Sequence, residues 1–563
     1  MTARPSLIHG PPLADEPGIG ALTLTGWFRE VTAQGGDAEA LVYYEGGLAT
    51  GHRVSWSYAE LWDRANAVAR ALLACGVGKG TRVGVLMTNR PEFLSAVFGI
   101  ALAGGVAATF STFSTTAELD HLLQASGVSV LLVERQVLKK DFVAMAAQLE
   151  PAIAHGMPGG LRSARFPYLT HIAAIGEGLG VAEPWDAFVA RGSAEAQALV
   201  DARAAGMTPA DPAVLFFSSG STAKPKGILS AHRGVTLQLW RWPRWYQAKP
   251  GELRMWSANG FFWSGNFSMA LGGALSSGGS LVLQSTFDAG EALALMEREK
   301  ATFLNSWPHQ WEQLIAAPNW ASADLSSLVY IDRKSPIAQH PTVSSTWREP
   351  YAAFGNTETF TLMSTYPANT PDDVVAGSHG LPCHGNTLKI VDPLTGETVP
   401  LGARGEICVK GPTLMLGYIG IPLDETLDAE GFFRTGDGGW FDDAGRLHWE
   451  GRLNDIIKTG GANVSPVEVD TLLRTMPEVK ISQTVGVPHD TLGELVVACI
   501  VAHDGAALDV AAVKAFAKAQ LASFKVPREV LFFAEDELAI TGTAKIKTAD
   551  LRALASERLG TQA

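Results

Sequence analysis

The strongest constraint on this chain is a hydrophobic pattern that keeps changing period between residues 55 and 135. SYAELWDRANAVARALLACG carries apolar residues at helical spacing and ends on Gly76, a stop signal. TRVGVLMTN is a short strand-like run. EFLSAVFGIALAGG is helical and VAATF strand-like, then ELDHLLQASG is helical and VSVLLVE a strand. Alternation of this kind implies a parallel or mixed sheet covered by helices, so the fold class is α/β. The pattern returns from 213 to about 330. From about 385 the texture changes: LKIVDPLTG, GEICVKG and GRLHWEG are short strands between glycine turns, which predicts a compact β subdomain. After GRLND the chain becomes a short α+β unit. The expected division is a large N-terminal domain over 1–452, a hinge over 453–455 and a small C-terminal domain over 456–563.

Composition narrows the function classes. With 47% hydrophobic and 18% charged residues the chain can bury a large core. Its net charge of −13 argues against a nucleic-acid footprint. Cys75, Cys383, Cys408 and Cys499 are far apart with no C-x-x-C, so neither a disulfide framework nor a cysteine zinc site is indicated, and a reducing cytoplasm fits. His379, Cys383 and His384 cluster in GSHGLPCHG, which reads as a Gly/Pro loop. The N-terminus has no apolar core of a signal peptide. The uncharged run FLSAVFGIALAGGVAATFSTFSTTA is long enough to span a bilayer, but its AGG centre and Ser/Thr tail read as buried helix, glycine turn and strand.

Chemistry concentrates in a few segments. In LFFSSGSTAKPKG, a buried strand runs into a loop where small residues let the backbone approach a ligand and successive N–H groups form an anion nest. Ser218, Ser219, Ser221 and Thr222 add hydroxyls, and Lys224 and Lys226 add charge. The Walker pattern from Gly220 fails, because Pro225 stands where its second glycine belongs. In YAAFGNTETF, Phe354, Gly355, Asn356, Thr357 and Glu358 set a hydroxyl beside a carboxylate, a sensible pair for Mg²⁺ and phosphate. FRTGDGGWFDDAGRLHWEGR supplies Asp437, able to accept two ribose hydroxyls, and Arg452. IIKTGGANVSPVEVD places Gly460 and Gly461 before a helix opened by Ser465 and Pro466. ITGTAKIKTADLR sets Lys545 among small residues.

In order and spacing, SSGSTAKPKG, FGNTE, RTGDGGWFDDAGRLHWEGRLNDIIKTGG and TGTAKIKTADLR resemble the signatures of the adenylate-forming superfamily, which holds acyl-CoA synthetases, luciferases and peptide-synthetase adenylation domains. The resemblance covers about residues 50–555 and is most like an acyl-CoA synthetase. It implies that the loop from Ser218 to Lys226 holds the β- and γ-phosphates of ATP while a carboxylate attacks the α-phosphate. CoA then takes the acyl group and AMP leaves. By the same resemblance Phe354 stacks on adenine, Thr357 contacts phosphate, Glu358 holds Mg²⁺, Asp437 binds the ribose hydroxyls with Arg452 beside it, and Lys545 is the catalytic lysine that reaches both the carboxylate and the α-phosphate. Asn454 is the hinge position, and Gly460 and Gly461 line the CoA channel. A stand-alone enzyme that loads an acyl carrier protein is the alternative.

Several residues depart from the family pattern. Ala223 and Ala544 replace glycines, and Arg333 and Lys334 replace a small pair, which suggests either a polar or acidic group on the substrate or a solvated loop. The family's histidine before the acyl pocket is missing, and Phe262 and Trp263 stand there. Phe262, Trp263, Phe267 and Ser335 are the expected acyl-pocket residues. No acid lies between Arg254 and Asp288 to pair with an α-ammonium, so an amino-acid substrate would leave a buried charge unmatched. An apolar carboxylic acid, up to a bulky one, is expected. Trp240, Trp242 and Trp245 in LWRWPRWYQ could cap a substrate entrance or a homodimer face, or serve as core.

Overall fold

The structure is a computed structural model that describes residues 4–218, 225–349, 352–453, 457–503, 505–534, 537 and 548–560. Its largest sheet has eight strands. Six are parallel, in the order Ala182–Pro184, His171–Ile175, Val130–Glu134, Arg82–Leu86, Val106–Thr109 and Pro212–Ser218. Lys226–Ala231 and Gly417–Tyr418 then add antiparallel. A second sheet orders Phe303–Asn305, Arg254–Ser257, Ser280–Leu283 and Glu39–Glu45 in parallel, with His52–Ser57 antiparallel at its edge.

The helices between these sheets follow their sequence signals. Tyr58–Ala74 starts on a reciprocal cap between Ser57 and Glu60, and the chain leaves it through Gly76 at φ +79°. Pro91–Leu102 is buried on every side except at Glu92. This explains its uniformly apolar text: it fills the core, and twelve residues reach only about 18 Å. No helix among the described residues is long and apolar enough to cross a membrane.

The β subdomain is a five-stranded antiparallel sheet of Leu7–His9, Thr387–Val391, Gly405–Lys410, Phe433–Phe441 and Leu447–Arg452. Its first strand comes from the far N-terminus. The small C-terminal domain is built on the long antiparallel pair Val479–His489 and Gly493–Ala502, flanked by Ile457–Thr459, Ala462–Val464 and Glu529–Phe532. Its helix Pro466–Leu473 starts where Ser465 and Pro466 predict, with the Ser465 side chain accepting from Glu468 N.

The tryptophan run is core, and this corrects the entrance-cap and dimer-face alternatives. Trp242 and Trp245 are buried on the helix His232–Trp245. Trp240 packs edge-on against Trp27 at 6.3 Å and donates its indole N–H to Ala21 O. Trp240 thus faces the N-terminal segment, while Trp242 packs with Trp245 and Tyr246 on another face of the helix, at 5.3 Å and 5.0 Å.

Candidate active site

The strand Pro212–Ser218 delivers Ser218 to the carboxyl end of the parallel sheet, where α/β folds place ligands. Lys226 opens the returning strand and is the register partner of Ser218. Ser219, Gly220, Ser221, Thr222, Ala223 and Lys224 lie outside the described residues. Ser218 and Lys226 both line a cavity of about 900 Å³. The Lys226 ammonium stands 4.9 Å above the Tyr418 ring, which holds the cation without neutralising it.

The loop after Phe354 reaches the same cavity through a tightly closed turn. A Cβ on Gly355 would sit 1.5 Å from Thr361 O, so only glycine fits. Asn356 caps the short turn Thr357–Thr359 by accepting from Thr359 N, and the chain leaves through Phe360 and Thr361 at φ +46° and +90°. A β-branched residue at that φ is strained, and Thr357 and Glu358, just before it, line the cavity. Glu358 accepts a hydrogen bond from Tyr418 Oη at 2.8 Å. Phe354 is 5% exposed, packs in the β-subdomain core and also lines the cavity.

Asp437 and Arg452 are register partners on neighbouring antiparallel strands. Asp437 is buried at the cavity, and the Trp449 indole donates to its Oδ1 at 3.1 Å. Tyr418 and Trp449 were not singled out in the sequence, because their importance comes from strand register rather than from local spacing.

On the acyl side, Phe262 and Trp263 line the cavity, in contact with each other at 5.0 Å. Phe267 and Ser335 are not on its wall. Phe267 is fully buried behind it, edge-on to Phe216 and Phe360. Ser335 caps the turn Pro336–Gln339 by accepting from Ile337 N. Arg333 and Lys334 also stay outside and converge with Arg348 on Asp372. They belong to an exposed charge cluster, which removes the reading that they recognise a polar substrate group. Three further residues of the wall were passed over in the sequence: Asn259, Asn266 and Asn305.

The small domain covers the mouth. Gly461 has φ +78°, and a Cβ there would meet the Trp307 ring at 2.6 Å, so the glycine loop lies directly on the large domain. Gly460 precedes it at φ +55° and is not on the cavity wall. Lys458 Nζ stands 3.3 Å from the Trp449 ring centroid. Phe524 closes an aromatic cluster with Phe113 and Trp263, each at 6.4 Å. Beside it Lys525 bonds Glu118 of the large domain at 3.0 Å and Glu468 of its own domain at 2.9 Å. Glu118 also accepts from Ala522 N. Burial opposes the Lys525 charge, but the two carboxylates outweigh it and hold its pKa above the ordinary lysine value. Burial pushes Glu468 up despite Lys525, and the nearby Glu118 carboxylate adds to the rise; its second oxygen has no partner among the described residues. Asn454 and Lys545 lie outside the described residues, as does the side chain of Arg452.

Comparison with known proteins gives this arrangement its class. The AMP-binding enzyme family model matches residues 28–419, and that of the AMP-binding enzyme C-terminal domain matches 468–545. The chain belongs to the AMP-binding, adenylate-forming family, as an AMP-forming acid–CoA ligase.

Among its relatives is the mitochondrial medium-chain acyl-CoA ligase of Danio rerio, 28% identical over 99% of this chain and 92% of that protein. The 7a-methyl-1,5-dioxo-octahydro-1H-inden-4-yl propanoyl:CoA ligase of Mycobacterium tuberculosis is 31% identical over 88% of this chain and 93% of its own length. The feruloyl-CoA synthase of an Amycolatopsis species has the same identity and coverage. In fold the chain is similar to the amide bond synthetase McbA from Marinactinospora thermotolerans, with a TM-score of 0.72 at 24% identity over 94% of this chain and 99% of that one.

Proposed function

We propose that the protein joins an acid with an apolar body to CoA in two steps, through an acyl-adenylate, with release of pyrophosphate and then AMP. One observation carries this reading. A single cavity is lined by Ser218, Lys226, Thr357, Glu358 and Asp437, by the aromatic wall of Phe262 and Trp263, and by Gly461 and Lys525 of the small domain. Nucleotide, acid and thiol chemistry therefore have one meeting place.

In the first step Lys226 and the Ser218 loop bind the triphosphate, and Asp437 accepts the ribose hydroxyls. Lys545 bridges the attacking carboxylate and the α-phosphate. Thr357 and Glu358 offer one hydroxyl and one carboxylate, a donor set that suits Mg²⁺ shared with substrate phosphates and water rather than an all-protein cage. When bound there, the ion offsets charge between the two anionic reactants. Holding the acid and ATP in line supplies about 7–11 kcal/mol of effective-molarity advantage.

In the second step the small domain, turned about residues 453–455, lays Gly461 over the mouth and leaves a path for the pantetheine thiol. The relatives act on medium-chain, feruloyl and bicyclic dioxo acids, which supports an acyl site open to fatty, aromatic and polycyclic bodies.

The test is pyrophosphate release against a panel from acetate through fatty acids to aryl and polycyclic acids, each with and without CoA. Release that climbs with CoA for one class supports the reading. Acid-dependent release indifferent to CoA redirects the second step to an acyl carrier protein.

A further inference from the structure

The three asparagines on the acyl side form one network with two ends left over. Asn266 is the hub. Its Oδ1 accepts from Ser257 Oγ at 2.8 Å and from Asn305 Nδ2 at 3.0 Å, and its Nδ2 donates to the backbone O of Asn259. The hub is fixed and buried, with both ends of its amide engaged. Asn259 is held on its other side, where its Oδ1 receives only a long contact of 3.4 Å from Gln310 Nε2. Its Nδ2 donates to nothing among the described residues, although Asn259 is only 6% exposed and lines the cavity. Asn305 spends Nδ2 on the hub, and its Oδ1 likewise has no partner among the described residues. A free N–H donor and a free carbonyl acceptor thus stand on either side of one rigid amide, at the wall of the cavity.

Asn305 is half-buried and both free ends face the cavity rather than a sealed core, so water can meet them in the empty site. A ligand that displaces that water without matching the amides forfeits about a tenfold to a hundredfold in binding. The segment from Met255 to Phe287, which supplies Asn259, Asn266, Phe262 and Trp263, carries no ionisable side chain; the cations on the cavity, among them Lys226, Lys458 and Lys525, come from other elements. Phe262, Trp263 and Met269 supply apolar surface around the amides. A neutral oxygen attached to an otherwise apolar body meets all three conditions. A hydroxyl matches both free ends, donating to Asn305 Oδ1 and accepting from Asn259 Nδ2. A carbonyl matches the Asn259 end alone.

We infer that Asn259 and Asn305 form a polar subsite that selects carboxylic acids bearing a hydroxyl or carbonyl oxygen on the acyl body. This rests on the acid–CoA ligase reading and names its substrate class. A site built to hydrogen-bond an oxygen rejects the analogue that lacks it far more strongly than an apolar pocket rejects an added one.

The test compares matched pairs, ω-hydroxydecanoate with decanoate and 4-hydroxycinnamate with cinnamate, by kcat/KM for acid-dependent pyrophosphate exchange without CoA. The expected result is a preference of tenfold or more for the oxygenated member of at least one pair. Asn259→Leu should cut that preference to within about threefold, and Asn305→Leu provides the second variant should the first melt early. The KM for CoA, measured in the full reaction, separates the other amide-rich occupant, pantetheine. If Asn259→Leu raises the CoA KM and leaves acid preference intact, the amides serve CoA and the inference is overturned. Equal use of both members of every pair by the wild type also overturns it. If no acid supports exchange, the ligase reading itself fails.

Discussion

At the scale of single residues, the site depends on groups whose partners set their charge and direction. Asp437 is held by the Trp449 indole and buried at the cavity, so its carboxylate is oriented before any nucleotide arrives. In its proposed role, charge-assisted bonds from the ribose hydroxyls to Asp437 contribute about 1.5–3 kcal/mol. Asp437→Ala should therefore raise the KM for ATP by about ten- to a hundredfold with the acid KM little changed, and steady-state kinetics in both substrates checks it. Asp470 gives a pH prediction away from the site. Burial raises its pKa from 3.8 to about 6, although Ser482 and Thr484 donate to its Oδ1. The folded state holds that proton more tightly than the unfolded chain, so stability falls as pH rises from about 4 to about 6 and stays reduced above. Asp470→Asn keeps an acceptor for both hydroxyls and carries no charge. It should stabilise the small domain by about 1–3 kcal/mol at pH 7 and show no gain at pH 4, as read by thermal melting across that range.

At the scale of elements, the turn from Gly355 to Thr361 fixes the geometry. Its closure leaves no room for a Cβ at Gly355, and its strain is concentrated at Phe360 and Thr361. Gly355→Ala should drop pyrophosphate release by a hundredfold or more while lowering Tm by only a few degrees. A large loss of Tm with parallel loss of all activity would instead make the turn a folding element. The sequence made this loop legible as a hydroxyl–carboxylate pair, because both residues are adjacent in FGNTE. Tyr418, which donates to Glu358, was not legible. It reaches the site only because its two-residue strand pairs with Lys226–Ala231. Phe267 and Ser335 went the other way. Local spacing suggested the pocket, but the helix around Phe267 turns that ring into the core and Ser335 is spent on a cap.

At the scale of the whole molecule, the two domains meet through a buried cation. Lys525 joins Glu118 at the start of the helix Thr116–Ser126 to Glu468 on the helix Pro466–Leu473. Removing the ammonium would leave two carboxylates facing each other in the interface, a change that costs about 3–5 kcal/mol when uncompensated. Lys525→Ala should therefore slow acyl transfer from supplied acyl-adenylate to CoA by at least tenfold and slow adenylation much less. Lys545→Ala should show the opposite split, abolishing adenylation and sparing transfer. Measuring both half-reactions for both variants tests the division of labour, and an equal loss of both steps in either variant would contradict it.

The sequence by itself determined the α/β class, the order of the motifs and the residue types the chemistry needs, because helix period, strand period and glycine turns are local properties of neighbouring residues. It also showed that the segment from Met255 to Phe287 carries no charge. Only the tertiary structure decided which side chains share the cavity. Asn259 and Asn305 come from the ends of adjacent parallel strands, and Asn266 from the helix between them. Phe113 and Phe524 come from different domains, and Arg333 and Lys334 fold away onto Asp372. These outcomes follow from strand register and domain packing, in which the free energy of burying one residue depends on partners hundreds of positions away.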